Sequence, residues 1–533
     1  MREDDFERVS ELWRLFRRGR EYQRAKGLTR TLPMCVRFYE GDQWAPPTKN
    51  TRNLPRPVVN LTKMICRSKK SAILSTPLRI CYRAYPDTEA VARLNRFAAY
   101  VQRELGQEEL DRCGVDSAVK KGTYVYHYYW DAQARGADAL VAGALRCELL
   151  EPLNVFFADP TEQDEQKQAW ILIATREDAE AVRAACRDER ERAAVTADTE
   201  EDPYALCSGT EEGRVTVLTR YFRRGGEVWC ERATRTTAIG APFPLTPRPE
   251  AVRGCLASGE DPAKTALPSG EYSPTHSPHA VATLYPIVVG QYERREGCIY
   301  GLGEVEGIIP NQRAINFNLA MMLLSAQENG WGKYVVGKDA LKGQVISNEP
   351  GQVLTDYTPG GGGIRRLSDH ALPAAPMQIV EALTSLTRAV TGASEIMTGE
   401  IPGSLSGAAI AQLQSQALRP VEELRRGFYR VKEKQGLVLA QFLRLFYGGT
   451  VFPVRGERGV EGFDVFDPRE MPEMPEVAVE AVGGTNASVA GDISALDLAL
   501  SKGAIDVRTY FELYPGEALS NREEILRKMK NEE

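Results

Sequence analysis

Long apolar runs are missing from this chain. The one nearest its middle, Leu319 to Leu324, is far shorter than the ~18–20 residues that crossing a bilayer requires. No apolar h-region follows Met1-Arg2-Glu3-Asp4-Asp5, so no signal peptide is expected and no membrane is a partner. Histidine is scarce, with four in the chain. His276 and His279 are close in sequence, but no Cys or acidic residue stands near them, so the sequence supports neither a zinc site nor any other metal centre. The ten cysteines form no CxxC pair and read as reduced, mostly core thiols of a protein made in a cytosol. Gly-Lys-Ser/Thr, G-x-S-x-G, H-E-x-x-H and an EF-hand loop are all absent, which leaves no P-loop, hydrolase elbow, metalloprotease or calcium signature. Gly301-Leu-Gly303 lacks a dinucleotide fingerprint because Glu306 stands in the third glycine's place. The chain therefore reads as non-enzymatic and needs no cofactor. An excess of positive charge is also missing: Lys+Arg is 67 against Asp+Glu 73, net −6. A binder coated in nucleic acid would be basic, whereas DNA passing through without sticking is compatible with this balance.

What is present is an ordinary globular mix, 43% hydrophobic and 26% charged over 533 residues, enough for three or four structural units at about 150 residues each. The periodicity predicts an amphipathic helix over 3–26, with Phe6, Val9, Trp13 and Phe16 on one face, and further helices over 58–75 and 88–105. Residues 38–57, rich in Pro and Gly, read as loop. Thr123 to Trp130 is too β-branched and aromatic for a surface helix and reads as a strand. Arg214–Phe222 and Glu227–Arg235 flank Arg224-Gly225-Gly226, the pattern of a hairpin. Residues 176–203 read as one exposed helix and a loop, and 240–280 as a long irregular segment.

The second half is different. Residues 304–330 form a long apolar helical run in which Ile308, Ile315, Leu319, Met322 and Ala326 make a stripe widened by Phe317, Met321 and Leu324. From Pro310 to Glu328 this helix spans roughly 28 Å. Short strands are expected at Lys333–Val336 and Gly351–Thr355, with a glycine turn at 360–363 and Trp331 and Tyr334 packed between the strands. A second helix follows, Pro376–Val390, with Ile379, Leu383, Leu386 and Val390, ending at Gly392. A third stretch from Leu405 to Tyr447 is divided by Pro420, and the tail from Asp492 is helical again, with a capping box at Ser520–Glu523. Basic residues gather locally: Arg14, Arg17, Arg18, Arg20 and Arg24; Lys69-Lys70; Lys120-Lys121; Arg365-Arg366; Arg419, Arg425 and Arg426. Solubility and salt bridges between chains are the reading for these, with phosphate contact the alternative for Arg365 and Arg366 where that segment faces nucleic acid.

Four short words stand in order along this pattern: Phe38-Tyr-Glu-Gly-Asp-Gln-Trp44 with Arg56-Pro-Val-Val-Asn60; Glu151-Pro152 through Ala158-Asp159-Pro160; Tyr300-Gly-Leu-Gly-Glu-Val-Glu-Gly307 with Gln312 and Asn316; and Thr391-Gly-Ala-Ser-Glu-Ile-Met-Thr-Gly399 with Leu405-Ser-Gly-Ala-Ala-Ile410. Together, over roughly residues 30–450, they make the chain resemble the portal protein of tailed double-stranded DNA bacteriophages, the head-to-tail connector. The resemblance implies an α+β fold with portal architecture. Its parts would be an α/β wing (1–303), a stem helix (304–330), a small β-rich clip (331–375), a second stem helix (376–391), a tunnel loop (392–404), a long bent helix returning to the wing (405–485) and a helical crown (486–533). It implies a homo-oligomeric ring of twelve subunits at one capsid vertex, a conduit for double-stranded DNA during packaging and ejection. Stem residues Ile315, Leu319, Met322, Ile379, Leu383 and Leu386 would meet neighbouring subunits. Ser394, Glu395, Thr398, Gly399 and Glu400 would line the channel. Val335, Val336, Lys338, Val353, Leu354, Arg365 and Arg366 would dock the terminase large subunit and later the head–tail adaptor proteins. Major capsid and scaffolding proteins are the other implied partners, and the virion, assembled in the host cytoplasm, is the implied location. The alternative is another capsid or head–tail adaptor component that oligomerises without conducting DNA.

Overall fold

The computed structural model describes residues 3–49, 51–76, 78–85, 89–135, 142–186, 188–198, 213–245, 281–330, 334–338, 340–345, 353, 355–360, 362–366, 375–393, 407–447, 449–456, 459–472, 475–481, 493 and 496–514. Helices and antiparallel strands alternate irregularly, so the fold class is α+β. The chain divides into two compact units. One comprises 1–33, 69–303 and 402–533; the other comprises 34–68 and 304–401. The second unit groups residues 34–68, from the span expected to be all wing, with the expected stem and clip.

The larger unit is built on two sheets. Val155–Phe157, Trp170–Asp178, Arg214–Arg224, Glu227–Ala233 and Phe243–Pro244 form a five-stranded antiparallel sheet in that order. Its expected hairpin is present: Arg224 faces Glu227 across Gly225 and Gly226, whose φ of 62° and 87° suit the left-handed turn that closes two twisted strands. The helix Glu3–Ala25 lies on this sheet, burying Val9, Leu12, Leu15 and Phe16 against Phe156, Leu172 and Leu218. The second sheet pairs Thr123–Arg135 with Ala142–Leu150 on one side and Ile287–Gln291 on the other.

Strand alternation explains the aromatic run at its centre. Tyr124, Tyr126 and Tyr128 share one face and are buried. Tyr126 Oη donates to Asp111 Oδ1 at 3.1 Å, Gln107 Nε2 donates to the same oxygen at 2.9 Å, and Tyr128 Oη donates to Gln107 Oε1 at 3.3 Å. Buried Lys432 closes the cluster by ion-pairing with Asp111. Burial pulls the Lys432 ammonium below the ordinary lysine range, against the attraction of Asp111. On the opposite face His127 bonds Glu148 Oε1 and Tyr221 Oη, both at 2.9 Å, which joins the two sheets and gives this histidine a structural place.

The chain enters this unit from both ends. Leu78–Arg83 pairs with Glu476–Ala481 across almost the whole sequence. Phe97 stacks on Phe466 with ring centroids 4.2 Å apart and meets Phe452 edge-on, so the Thr450–Gly456 and Gly459–Phe466 hairpin closes over the helix Glu89–Glu104.

Several expectations are corrected. The stretch from Leu405 is one unbroken helix, Gly407–Phe446, in which Pro420 makes no division. Gln416, Arg419 and Pro420 are exposed, so water can satisfy the carbonyl that the missing N–H abandons. Over 176–203, the strand continues to Asp178, and two short helices, Ala179–Ala185 and Glu189–Ala194, follow it. The first is not a free surface: Ala179 and Val182, with Cys186 and Val195 outside the helices, are buried with Val215, Val217 and Ile239, whereas Glu189–Ala194 buries none of its own residues and is exposed as expected. Helices Leu28–Glu40 and Gln107–Lys121 were not anticipated; the first contains Pro33 and the second Gly114, residues that blur a helical pattern. Among the described residues no cysteine forms a disulfide. His276, His279, the segment 246–280 and the capping box at 520–523 lie outside the described residues.

Removing one partner of the Lys432–Asp111 pair leaves a buried charge unmatched. Asp111→Ala is therefore expected to lower stability by about 3–5 kcal/mol. The double change Asp111→Leu with Lys432→Met should recover most of that loss. Urea unfolding followed by tryptophan fluorescence would check both.

Candidate assembly interface

The smaller unit begins with a helix that must be locked in rotation. Glu304–Gly330 runs 27 residues with Pro310 in its early turns. On one side, Ile308 and Ile315 are buried with Leu61, Ile65 and Ala393, while Leu319, Val380 and Leu383 pack against them half-buried. Asn311 Nδ2 donates to Thr387 Oγ1 at 2.9 Å, near the start of this helix and the end of Ala375–Thr391. The two helices thus run antiparallel. The second stops at Gly392, whose φ of 67° few side chains tolerate.

Two amides, Gln312 and Asn316, sit on the buried side one turn apart. Gln312 Nε2 donates to the Val59 carbonyl at 2.8 Å and to Asn316 Oδ1 at 3.0 Å. Gln312 Oε1 accepts from the Thr62 N–H at 3.1 Å and from Thr62 Oγ1 at 3.2 Å. Asn316 Nδ2 donates to Gln43 Oε1 at 2.6 Å, and Gln43 Nε2 donates to the Phe38 carbonyl at 2.8 Å. Asn60 completes the arrangement: its Nδ2 donates to the Tyr39 carbonyl at 2.9 Å, and its Oδ1 accepts from the Lys63 N–H at 2.9 Å, which caps the helix Leu61–Ile73. Each buried amide is satisfied, as burial demands. The words at 38–44, 56–60 and 312–316, distant in sequence, meet at this one node. Sequence reasoning marked them separately and missed the junction. The available signal was a pair of amides at i and i+4 on an otherwise apolar face.

With that face fixed, the opposite one is apolar too. Phe317, Met321 and Leu324 lie about half a turn from Ile308, Ile315 and Leu319 at ~100° per residue. They form a second stripe and do not widen the first. Phe317 is 52% exposed, and Met321 is exposed beside it. On the partner helix, Val380, Leu383 and Thr387 turn inward, whereas Ile379, Leu386 (60% exposed) and Val390 (84% exposed) line the adjoining flank. Of the six expected stem residues, Ile315 is therefore fully occupied within its own unit, Leu319, Met322 and Leu383 are half-buried, and Ile379 and Leu386 are free to meet another surface.

Beyond the helices, Tyr334–Val336 pairs with Ile364–Arg366 as a two-stranded ribbon, Val335 opposite Arg365 and Tyr334 opposite Arg366. The expected strand at 351–355 is not the partner: Val353 and Thr355 are irregular. Asp356 organises the turn instead, accepting from the N–H groups of Thr358 and Gly363, both at 2.9 Å. These bonds, that from Thr358 foremost, hold its carboxyl below the usual range. Tyr334 is exposed, not packed between strands; Val335, Lys338, Val353 (89%) and Arg365 are exposed, and Val336 is half-buried. Trp331, Leu354 and the five loop residues Ser394, Glu395, Thr398, Gly399 and Glu400 lie outside the described residues. Among the described residues no group of His, Cys, Asp and Glu could hold a metal ion, and no helix is long and apolar enough to cross a membrane.

Residues 271–489 match the family described as phage P22-like portal protein. The matched stretch contains both helices, the ribbon, the long helix and the hairpin over Phe97. The resemblance to phage portal proteins thus holds over that stretch. No curated protein matches the chain.

Two changes separate folding from assembly. Gln312→Ala strands the Thr62 N–H and removes a donor to Val59, so it should cost about 2–4 kcal/mol of stability in thermal or urea unfolding. Phe317→Asp with Leu386→Asp touches exposed side chains and should leave subunit stability within about 0.5 kcal/mol, yet abolish self-association measured by light scattering after size exclusion. Leu319 and Met322 are poorer probes, because an aspartate at a half-buried position damages the unit itself.

Proposed function

We propose that this chain, whose residues 271–489 match phage P22-like portal proteins, is the ring-forming portal vertex subunit of a tailed phage and conducts double-stranded DNA into and out of the capsid. The observation that carries this reading is the paired helices Glu304–Gly330 and Ala375–Thr391, each apolar on an exposed flank after its inward side is filled. A closed ring shelters such flanks in identical copies, each subunit presenting one surface to one neighbour and another to the next. On this reading the two helices are the stem, the ribbon Tyr334–Val336/Ile364–Arg366 is the core of the clip, and twelve copies surround the channel.

Residues 392–404 would be the tunnel loop. Its charges are Glu395 and Glu400, with no Lys or Arg. Such a ring cannot clamp phosphates, and a duplex that must slide is better served by walls that do not attract it. The exposed clip residues Val335, Lys338, Val353 and Arg365 offer mixed apolar and basic contacts to the packaging motor, a terminase that supplies the ATP chemistry for which this sequence has no motif, and afterwards to head–tail adaptors. Capsid and scaffolding proteins would meet the ring at the vertex.

The subunit mass is 59.1 kDa. Purified protein should elute as an assembly many times larger and show rings by electron microscopy; a stable monomer at micromolar concentration would overturn the reading. Deleting 395–401 should leave rings intact while reducing DNA packaged or retained per particle. Normal filling would take the loop away from the channel.

A further inference from the structure

The N-terminal helix separates its charges along its length. Two of its early acidic residues are paired: Asp5 with Arg8, which also reaches buried Glu231, and Glu11 with Arg220, while Glu7 is exposed. From residue 14 to 30 the chain then carries seven basic residues (Arg14, Arg17, Arg18, Arg20, Arg24, Lys26, Arg30) and one acidic residue, Glu21, within a protein of net charge −6. Val9, Leu12, Leu15 and Phe16 seat the helix on the five-stranded sheet. That seating turns Arg14, Arg17 and Arg18 outward, all exposed and within an arc of about 100°. Among the described residues none of the three ion-pairs with a carboxylate; Arg17 Nε donates only to the Trp13 carbonyl of its own helix, at 3.3 Å. Arg235, also exposed, extends the group from the sheet: its guanidinium lies 5.9 Å from the centroid of the Trp13 ring.

The chemistry of this strip selects its partner. Along the helix from Val9 to Ala25 no large apolar side chain is exposed, and Phe6, which is exposed, stands about two turns before Arg14. A protein partner needs an apolar core to its contact, whereas a phosphate backbone needs charge and directed N–H donors. Every member is arginine, whose planar fork matches phosphate oxygens in pairs. We propose that Arg14, Arg17, Arg18 and Arg235 form a binding strip for the phosphate backbone of nucleic acid. The strip requires neither the channel nor the portal reading.

The test uses the full-length protein and a fluorescently labelled duplex of random sequence, about 30 base pairs, with anisotropy followed as KCl rises. Each phosphate contact contributes ~0.9 to the slope of log K against log salt. The triple change R14Q/R17Q/R18Q should therefore weaken binding more than tenfold at low salt and reduce the slope by up to about 2.7, while the triple change to lysine keeps the slope. An unchanged slope in the glutamine variant, or no binding by the wild type, would overturn the proposal. So would poly-L-glutamate binding more tightly than the duplex, which would assign the strip to an acidic protein. If the triple variant fails to fold, R235Q alone should lower the slope by about 0.9, and an unaltered slope there counts against the strip.

Discussion

The rotation of one helix about its own axis decides what the smaller unit can offer to its surroundings. Glu304–Gly330 has apolar residues on two opposite sides, and hydrophobicity alone does not choose which of them turns inward. The amides of Gln312 and Asn316 do. Facing Gln43, Val59 and Thr62 they have a full set of partners. Turned outward they would leave the Thr62 N–H and the Gln43 amide buried and unmatched, at ~1–3 kcal/mol for each stranded group. The node thus commits Ile308 and Ile315 to the interior and leaves Phe317 and Met321 outside. A large aliphatic or aromatic side chain is worth about 1.5–3 kcal/mol when moved from water to a packed contact. Phe317, Met321, Ile379, Leu386 and Val390 together make a reserve of burial that one subunit leaves unused.

That reserve is carried on an insertion. The segment 304–401 leaves the larger unit after Gly303 and rejoins it at Pro402. The larger unit is held by contacts that span the chain and bypass the insertion: Leu78–Arg83 with Glu476–Ala481, Phe97 with Phe452 and Phe466, Asp111 with Lys432. Such pairings are costly to form, because the intervening chain must be closed into a loop. Once formed, they tie the start of the long helix's packing to the first hundred residues, and Tyr82 Oη donating to the Gly436 carbonyl at 2.9 Å is one of the stitches. The insertion can therefore specialise in association without supplying the core of the larger unit.

How much of this was legible depends on which force shaped each element. Where periodicity and punctuation agree, the sequence sufficed: the hairpin at Gly225-Gly226, the helix from Glu304 and the second helix ending at Gly392 lie where expected. Local rules failed where tertiary contacts overrode them. Pro420 reads as a break, but a helix of 40 residues with its C-terminal half buried absorbs one missing bond. Ala179–Ala185 reads as part of one exposed helix, yet Ala179 and Val182 are buried with Val215 and Val217; only Glu189–Ala194, which buries no residue, is the solvated charge run it looks like. The split of the apolar stripe at 304–330 was readable in principle, since the angle between Ile308 and Phe317 follows from their spacing. What could not be read was the node, because no local pattern says that Gln43, Thr62 and Asn316 will share one site.

Charge placement carries the last step. A net charge of −6 is a sum, and a sum hides segregation. Asp5 and Glu11 of the N-terminal helix pair with Arg8 and Arg220, while Arg14, Arg17 and Arg18 find no carboxylate among the described residues. Residues 392–404, by contrast, carry Glu395 and Glu400 and no Lys or Arg. On the two proposals taken together, a protein that grips nucleic acid in one place and lets it slide in another cannot do both with a uniform field, because phosphate attraction scales with the number of cations met. Arginines at 14, 17 and 18 and none over 392–404 would meet both demands at the level of sequence. On that proposal the overall acidity does not oppose the strip: acidic surface farther from the arginines than the ~8–10 Å screening length is screened from them, and it offers phosphate no competing site.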